Sequence, residues 1–458
     1  MINAMTLEQI AEITQAEIFN SSQNGTLINA VSKDTRTLKA GDLYIALTGE
    51  NFDGHAFVNK AFELQAAAAL VEEVQADCAL SQLKVTDTLL ALGQLAGFNR
   101  QQFSGPVVAV TGSAGKTTVK QLMASVLAQQ FNTLVTAGNL NNHIGAPLTL
   151  LDINQDHQAA MIELGASAEG EIAYTAQWVK PHIGIITNAS AAHIAGFGSL
   201  QHIVQTKGEL LDFIQPNGTA VLNADDEFFP QWQARALKSF DVEIISFGLS
   251  EQAEVRAQNI KCDLAGSSFD LCYQDKEYKV RLSLLGAHNV SNALAVAAAG
   301  FALDISAEKI VAGLEAVSSV AGRLQWQEGS KGQKILNDAY NANPASIKAA
   351  IQVLKGAATS WLVLGDMAEL GANEFAEHEA IGHFARQQGV QHLLATGELS
   401  KKTTEAFGDG AHWFATKQEL VRYLHNNTQA NDVILVKGSR SAGMEEVVTG
   451  LQADIKDK

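Results

Sequence analysis

The segment PVVAVTGSAGKTTVKQLMASVLAQQF, residues 106–131, constrains this chain more than any other. It opens with a run of small and β-branched residues ending at Thr111, the pattern of a buried strand. Val119, Leu122, Met123, Val126 and Leu127 then fall on one face of a helix. Between them, Gly112 and Gly115 permit a tight turn with backbone N–H groups facing inward. The helix N-terminus adds partial positive charge at the same place. Thr111, Gly112, Ser113, Ala114, Gly115, Lys116, Thr117 and Thr118 therefore form a candidate phosphate cradle. Lys116 is placed to reach the outer phosphates of ATP, and the hydroxyl of Thr117 or Thr118 to hold Mg²⁺. The general motif has four residues between its first glycine and Gly-Lys. Here Val110 stands at that first position, and only Ser113 and Ala114 separate the two glycines. The strand–loop–helix context carries the inference. It does not say what the loop drives, because such loops serve motors, switches, kinases and ligases alike.

Strand-like and helix-like stretches alternate along most of the 458 residues, which predicts an α/β fold with mainly parallel sheets. Three domains are expected: a small N-terminal α/β domain over 1–86, a central P-loop-type parallel-sheet domain over 87–317, and a Rossmann-like domain over 318–458. In the first, GDLYIAL (41–47) and AAAALV (66–71) read as strands flanking a helix over 55–65, with Phe57, Ala61, Phe62 and Leu64 as its apolar face. In the last, the strands KILNDA, SWLVLGD, HLLATG and DVILVKG are separated by helices.

A formal net charge of −17 argues against a general nucleic-acid or membrane-surface binder. Three widely spaced cysteines, in no CxxC pair, imply neither a disulfide framework nor a structural zinc site, and favour a reducing cytoplasm. MINAMTLEQIAEIT lacks the basic and apolar regions of a signal peptide. The apolar run 293–303 is too short to span a membrane. A monomer is the default expectation.

Further residues suggest a site. Glu163 ends the strand AAMIELG (159–165), on the sheet edge where ligands bind. Taken alone it is as well read as an exposed strand end; after a phosphate loop, magnesium binding is favoured. His193 lies in a Gly-rich loop after IGIIT (183–187), and its position alone suggests a surface residue. Lys207, placed near a helix start, reads as a solvated charge. Asn289 and Asn292 stand one turn apart at the start of an Ala-rich helix, and suit either a nucleobase edge or simple capping.

Together these strings, with NADD, LGAHNVSNALAVAA, AGR, NDAYNANPAS and LVKGSR in order, resemble the Mur ligase family over nearly the whole chain. The short phosphate loop is normal for that family. The resemblance implies an ATP-dependent ligase of peptidoglycan precursor synthesis that forms an amide through an acyl phosphate, releasing ADP and phosphate. SKDTRTLKAGDLYIALTGENFDGHAFV looks like the family's UDP-sugar-binding domain. NDAYNANP, LGDMAELG and KGSR look like the subgroup that joins D-alanyl-D-alanine to UDP-N-acetylmuramoyl-tripeptide. The alternatives are the third-residue-adding subgroup, whose Asn-Pro-Arg motif is missing here, and a folylpolyglutamate-type ligase.

The resemblance also implies roles. Lys116, Lys207, His193 and Arg323 would be catalytic. Thr117, Glu163, His193 and Lys207, the last as a carbamate made from CO₂, would surround Mg²⁺, expected as two ions. Asn289 and Asn292 would face adenine, Arg323 the γ-phosphate, Asp338 the ribose, and Tyr340 the nucleotide's vicinity. Arg36, Asn51, Asp53 and His55 would meet the UDP-sugar, Asn141 and Asn142 the acceptor peptide, and Lys437 and Arg440 substrate carboxylates.

Overall fold

The computed structural model describes residues 1–20, 25–49, 52–190, 194–238 and 241–453. Three main sheets form in succession along the chain. The first has five strands, ordered Glu17–Phe19, Gln82–Lys84, Ala68–Val71, Leu43–Ile45 and Val31–Ser32, all parallel except the antiparallel Glu17–Phe19 edge. The helix expected over 55–65 is a 3₁₀ turn, Gly54–Phe57, followed by the α-helix Val58–Glu63. Its buried face is Val58 and Ala61, not the expected aromatic one. Phe57 is exposed and stacks on Phe52, with ring centroids 5.5 Å apart, while Phe62 faces outward.

The central sheet has nine strands. Val107–Thr111 lies between Ile183–Ile186 and Ala159–Glu163, in parallel register with both. Its alternating side chains join two cores, as strand geometry requires. Val108 and Val110 pack with Val119, Leu122, Met123 and Val126 of the following helix. Val107 and Ala109 pack on the other face with Leu92, Leu95 and Phe103. That second core continues into Leu43, Ile45 and Leu70 of the first sheet, through the helix Thr88–Gln101. At the far edge Val255–Asp263, Gly266–Tyr273 and Lys276–Leu282 form an antiparallel meander that periodicity in the sequence did not reveal.

The last sheet has six strands, ordered Gln325–Glu328, Lys334–Asp338, Val433–Lys437, Ser360–Leu364, His392–Thr396 and Ala411–Phe414, parallel except for the first. All four expected strands are present. No helix among the described residues is long and apolar enough to cross a membrane.

Candidate functional site

The phosphate loop forms as its glycines dictate. Gly112 has φ 147° and Gly115 has φ 84°. A Cβ at Gly112 would collide with the Thr187 hydroxyl, and one at Gly115 with the Asn292 side chain, so neither position has room for a larger residue. The neighbouring strand end braces the loop. Asn188 Oδ1 accepts from Ala114 N–H at 3.0 Å, Thr187 Oγ1 donates to the Ala114 carbonyl at 2.6 Å, and Ser113 Oγ donates to the Ser190 carbonyl at 3.1 Å. Lys116 begins the helix Lys116–Leu127 and folds back, with Nζ donating to Gly112 O at 2.6 Å. Burial lowers its pKa, Glu163 opposes that shift, and Arg323 adds to it. A phosphate arriving here would therefore relieve the cost of a desolvated ammonium.

Two cavities share this loop as a wall. The first, of about 320 Å³, is bounded by Gly115, Thr118, His288, Asn289, Asn292, Asp338 and Lys437, among others. Asn289 and Asn292 are buried in the helix Ala287–Ala302, and they do not cap it. Asn289 Nδ2 donates to Leu285 O, and Asn292 Nδ2 donates to Asn289 Oδ1. Lys437 is buried, with Nζ 2.6 Å from Asp338 Oδ2 and 2.9 Å from Asn341 O. Asp338 Oδ1 accepts from Leu324 N–H at 3.2 Å. The Lys437 ammonium is thus committed to holding the Asp338 carboxylate at the cavity wall. Ser190 also lines this cavity, and its buried Oγ has no hydrogen-bond partner among the described residues. A polar atom so placed suits a polar ligand.

The second cavity, of about 360 Å³, is bounded by Lys116, Thr117, Asn141, Asn142, His143, Glu163, Arg323 and Tyr340, among others. Glu163 is buried at its floor. Its Oε1 accepts from Asn141 Nδ2 at 2.7 Å and lies 3.4 Å from Thr117 Oγ1. Asn142 Oδ1 instead caps Gly145 N–H at 2.8 Å. Lys120 went unnoticed in the sequence although it stands one helical turn after Lys116. Its Nζ lies 3.2 Å from Glu163 Oε2 and donates to Gly138 O at 2.9 Å. Oε2 has no hydrogen-bond partner among the described residues. A buried carboxylate whose Oε1 lies beside the Thr117 hydroxyl, and whose Oε2 is met only by the Lys120 ammonium, is a hard-oxygen donor set that fits Mg²⁺. Among the described residues no group of three His, Cys, Asp or Glu could enclose a metal. Phosphate and water would complete the shell, as Mg²⁺ ordinarily allows.

Lys207 corrects the sequence expectation. It sits in the last turn of the helix Leu200–Gly208, not near a start, and is 2% exposed, not solvated. Its Nζ lies 3.5 Å from Ala166 O and 5.2 Å from the Phe197 ring centre. Burial first, and the Lys116 charge second, push its pKa down to about 7. A neutral amine of this kind is the form that reacts with CO₂. His193 and Asn51 lie outside the described residues.

Arg323 faces both cavities, with its guanidinium carbon 4.4 Å from the Tyr340 ring centre. Arg440 lies 5.7 Å from the same ring and pairs with Glu445 at 3.0 Å. A third cavity, of about 540 Å³, lies in the first domain and is lined by Arg36, Tyr44, Phe52 and Phe57, among others. Arg36 is exposed and forms a bidentate pair with Asp34. Asp53 Oδ1 lies 2.7 Å from His55 Nδ1, and His55 Nε2 accepts from Glu72 N–H at 2.9 Å. His55 thus ties its loop to the strand end.

Comparison with known proteins accords with this geometry. Residues 27–100 match the family description "Mur ligase family, catalytic domain", 110–300 "Mur ligase middle domain", and 322–440 "Mur ligase, glutamate ligase domain". The chain is 42% identical over 452 residues to a UDP-N-acetylmuramoyl-tripeptide--D-alanyl-D-alanine ligase of Escherichia coli, covering 98% of each. It superposes on a MurF structure from Acinetobacter baumannii with a TM-score of 0.93 and 35% identity, covering 98% of this chain and 99% of that one. A MurF ligase from Thermotoga maritima in complex with ADP shares the fold at a TM-score of 0.83 and 23% identity, covering 93% of this chain and 97% of that one.

Proposed function

This chain belongs to the Mur ligase family, and from that premise we propose how its residues carry out the reaction. It is an ATP-dependent ligase that joins D-alanyl-D-alanine to UDP-N-acetylmuramoyl-tripeptide by an amide bond, a step of peptidoglycan synthesis. The observation that carries the mechanism is that Arg323 lines both cavities and meets Lys116 and Glu163 in the second.

A carboxylate does not react with an amine at neutral pH until it loses its charge and gains a leaving group. The peptide carboxylate attacks the γ-phosphorus of ATP, and ADP leaves. The dipeptide amine then attacks the acyl carbon, and phosphate leaves. The first step brings two anions together. Lys116, the loop N–H groups and the helix N-terminus hold the phosphates, and Arg323 offsets the charge in transfer. ATP lies in the first cavity, adenine beside Asn289 and Asn292 and ribose by Asp338, with Tyr340 nearby. The acceptor peptide enters the second past Asn141 and Asn142, where Arg440 would steer a substrate carboxylate. Arg36 borders the UDP-sugar site, Asp53 and His55 would serve it by holding the loop next to Phe52, and Lys437 serves by fixing Asp338. Thr117, Glu163 and carbamylated Lys207 would hold Mg²⁺, which when bound neutralises phosphate charge. The working unit is taken to be a monomer acting in the cytoplasm, and one chain lining all three cavities supports the monomer.

The test is phosphate release from ATP and the UDP-tripeptide with each amine acceptor in turn. D-Alanyl-D-alanine should give amide and stoichiometric phosphate. Without it, hydroxylamine should trap the activated carboxyl. Phosphate release with no trapped adduct and no amide would refute the mechanism.

A further inference from the structure

We infer that Tyr340 is a positioning residue for this reaction: its ring is the platform that aims the Arg323 guanidinium at the phosphoryl group in transfer. The inference rests on the role given to Arg323 above and adds what holds that side chain in place.

An arginine side chain has many rotamers, and a guanidinium useful in one transition state must be restricted to a few. The backbone around Arg323 supplies part of that restriction. Gly322 has φ 64° and Leu324 has φ 47°, so Arg323 stands between two left-handed residues. The second is costly for a leucine and persists only where its surroundings impose it. Leu324 N–H is held by Asp338 Oδ1, and Asp338 in turn by Lys437. Two residues beyond Asp338 comes Tyr340, whose N–H donates to Gly322 O at 3.4 Å. A Cβ at Gly322 would lie 3.2 Å from Tyr340 Cβ, so the turn and the tyrosine pack closely. The anchored Asp338 therefore fixes both the turn that presents Arg323 and the ring beside it.

The guanidinium then sits 4.4 Å from the ring centre, within the range of a cation–π contact. Tyr340 borders the cavity holding Glu163 and Lys116, not the one bordered by Asn289 and Asn292. It is therefore placed to serve the transfer step and not to cover the base. Arg440, held by Glu445, approaches the same ring at 5.7 Å and leaves Arg323 the nearer cation.

The experiment is a double-mutant cycle on the full-length enzyme, read by steady-state phosphate release with the UDP-tripeptide and D-alanyl-D-alanine. Thermal melting checks that each variant folds. Tyr340→Ala should lower kcat about fivefold, the size of a lost cation–π contact between half-buried groups, with KM for ATP changed less than about twofold. Tyr340→Phe, which keeps the ring, should recover most of the turnover. In an Arg323→Ala background, Tyr340→Ala should cost nothing further. A raised KM for ATP with kcat intact, or an undiminished loss in the Arg323→Ala background, would overturn the platform role while leaving Arg323's own role standing. Wild-type turnover in Arg323→Ala would instead overturn the reading of Arg323 and the platform with it. If Tyr340→Ala melts early, Tyr340→Leu replaces it and the same outcomes apply.

Discussion

The ammonium of Lys120 lies 3.2 Å from Oε2 of Glu163, with the two side chains 1% and 3% exposed. Neither charge can be solvated, so each depends on the other. Gly138 O takes a second proton of the ammonium, which ties the loop carrying Asn141 to the phosphate-loop helix. Lys120→Met would leave a buried carboxylate unpaired and should cost about 3–5 kcal/mol in denaturant unfolding without metal. Adding Glu163→Gln should recover a substantial part. A wild-type midpoint for Lys120→Met would show that the pair does not matter.

That pair also shows where the sequence was informative. The phosphate loop was legible because its chemistry is local: two glycines, a lysine and a helix start lie within one turn of chain. The strands and helices of the parallel sheets were legible from apolar runs, whereas the meander over 255–282 carries many exposed polar residues and gave no such run. Lys120 sits in an amphipathic helix among Thr117, Thr118, Gln121 and Ser125, and its partner is 43 positions away in sequence, so nothing local marks it as buried. Lys207 was misjudged for the same reason, since its burial comes from Phe197 and the loop at Ala166. The role of Lys437 was also hidden, because its partner Asp338 is 99 residues distant.

Gly93 and Gly97 form a shelf for the Trp178 indole. A Cβ at Gly93 would lie 2.6 Å from the ring and one at Gly97 2.8 Å. This contact packs the helix Thr88–Gln101 against Glu171–Val179. Gly93→Ala should therefore destabilise by about 1–3 kcal/mol through overpacking, despite its better helix propensity. In a Trp178→Leu background that penalty should vanish and Gly93→Ala become neutral or stabilising. Paired chemical denaturation curves measure both, and an equal cost in the two backgrounds would rule out the shelf.

His288 borders the nucleotide cavity, and burial holds its pKa down to about 4, with Asp338 raising it and Lys437 lowering it. Its folded value is below the ordinary 6.5. Above pH 6.5 the ring is neutral in both states and the fold keeps the full benefit. Between 6.5 and 4 the unfolded chain takes up the proton first, so stability falls as pH falls, levelling off below 4. The melting temperature should thus drop less between pH 7 and 4.5 in His288→Asn than in the wild type. Parallel melting curves against pH would refute it.

Lys207 supplies the last prediction. A cation beside Lys116, near a phosphate and metal site, is misplaced, because it would repel Mg²⁺. Burial brings its pKa to about 7, leaving a large neutral fraction at working pH. Addition of CO₂ would turn that amine into an anion and reverse its sign toward both Lys116 and the metal. Lys207→Ala should then lower turnover by about a hundredfold or more, the scale of losing an electrostatic group at the reacting centre. Short carboxylates such as formate or acetate, which replace the carbamate's charge, should restore part of it, while chloride at equal ionic strength should not. Labelled bicarbonate should give a carbamate carbon signal in the wild type that is missing in Lys207→Ala. Full activity of the unsupplemented mutant, or rescue by chloride as well as by formate, would show that Lys207 acts in some other way.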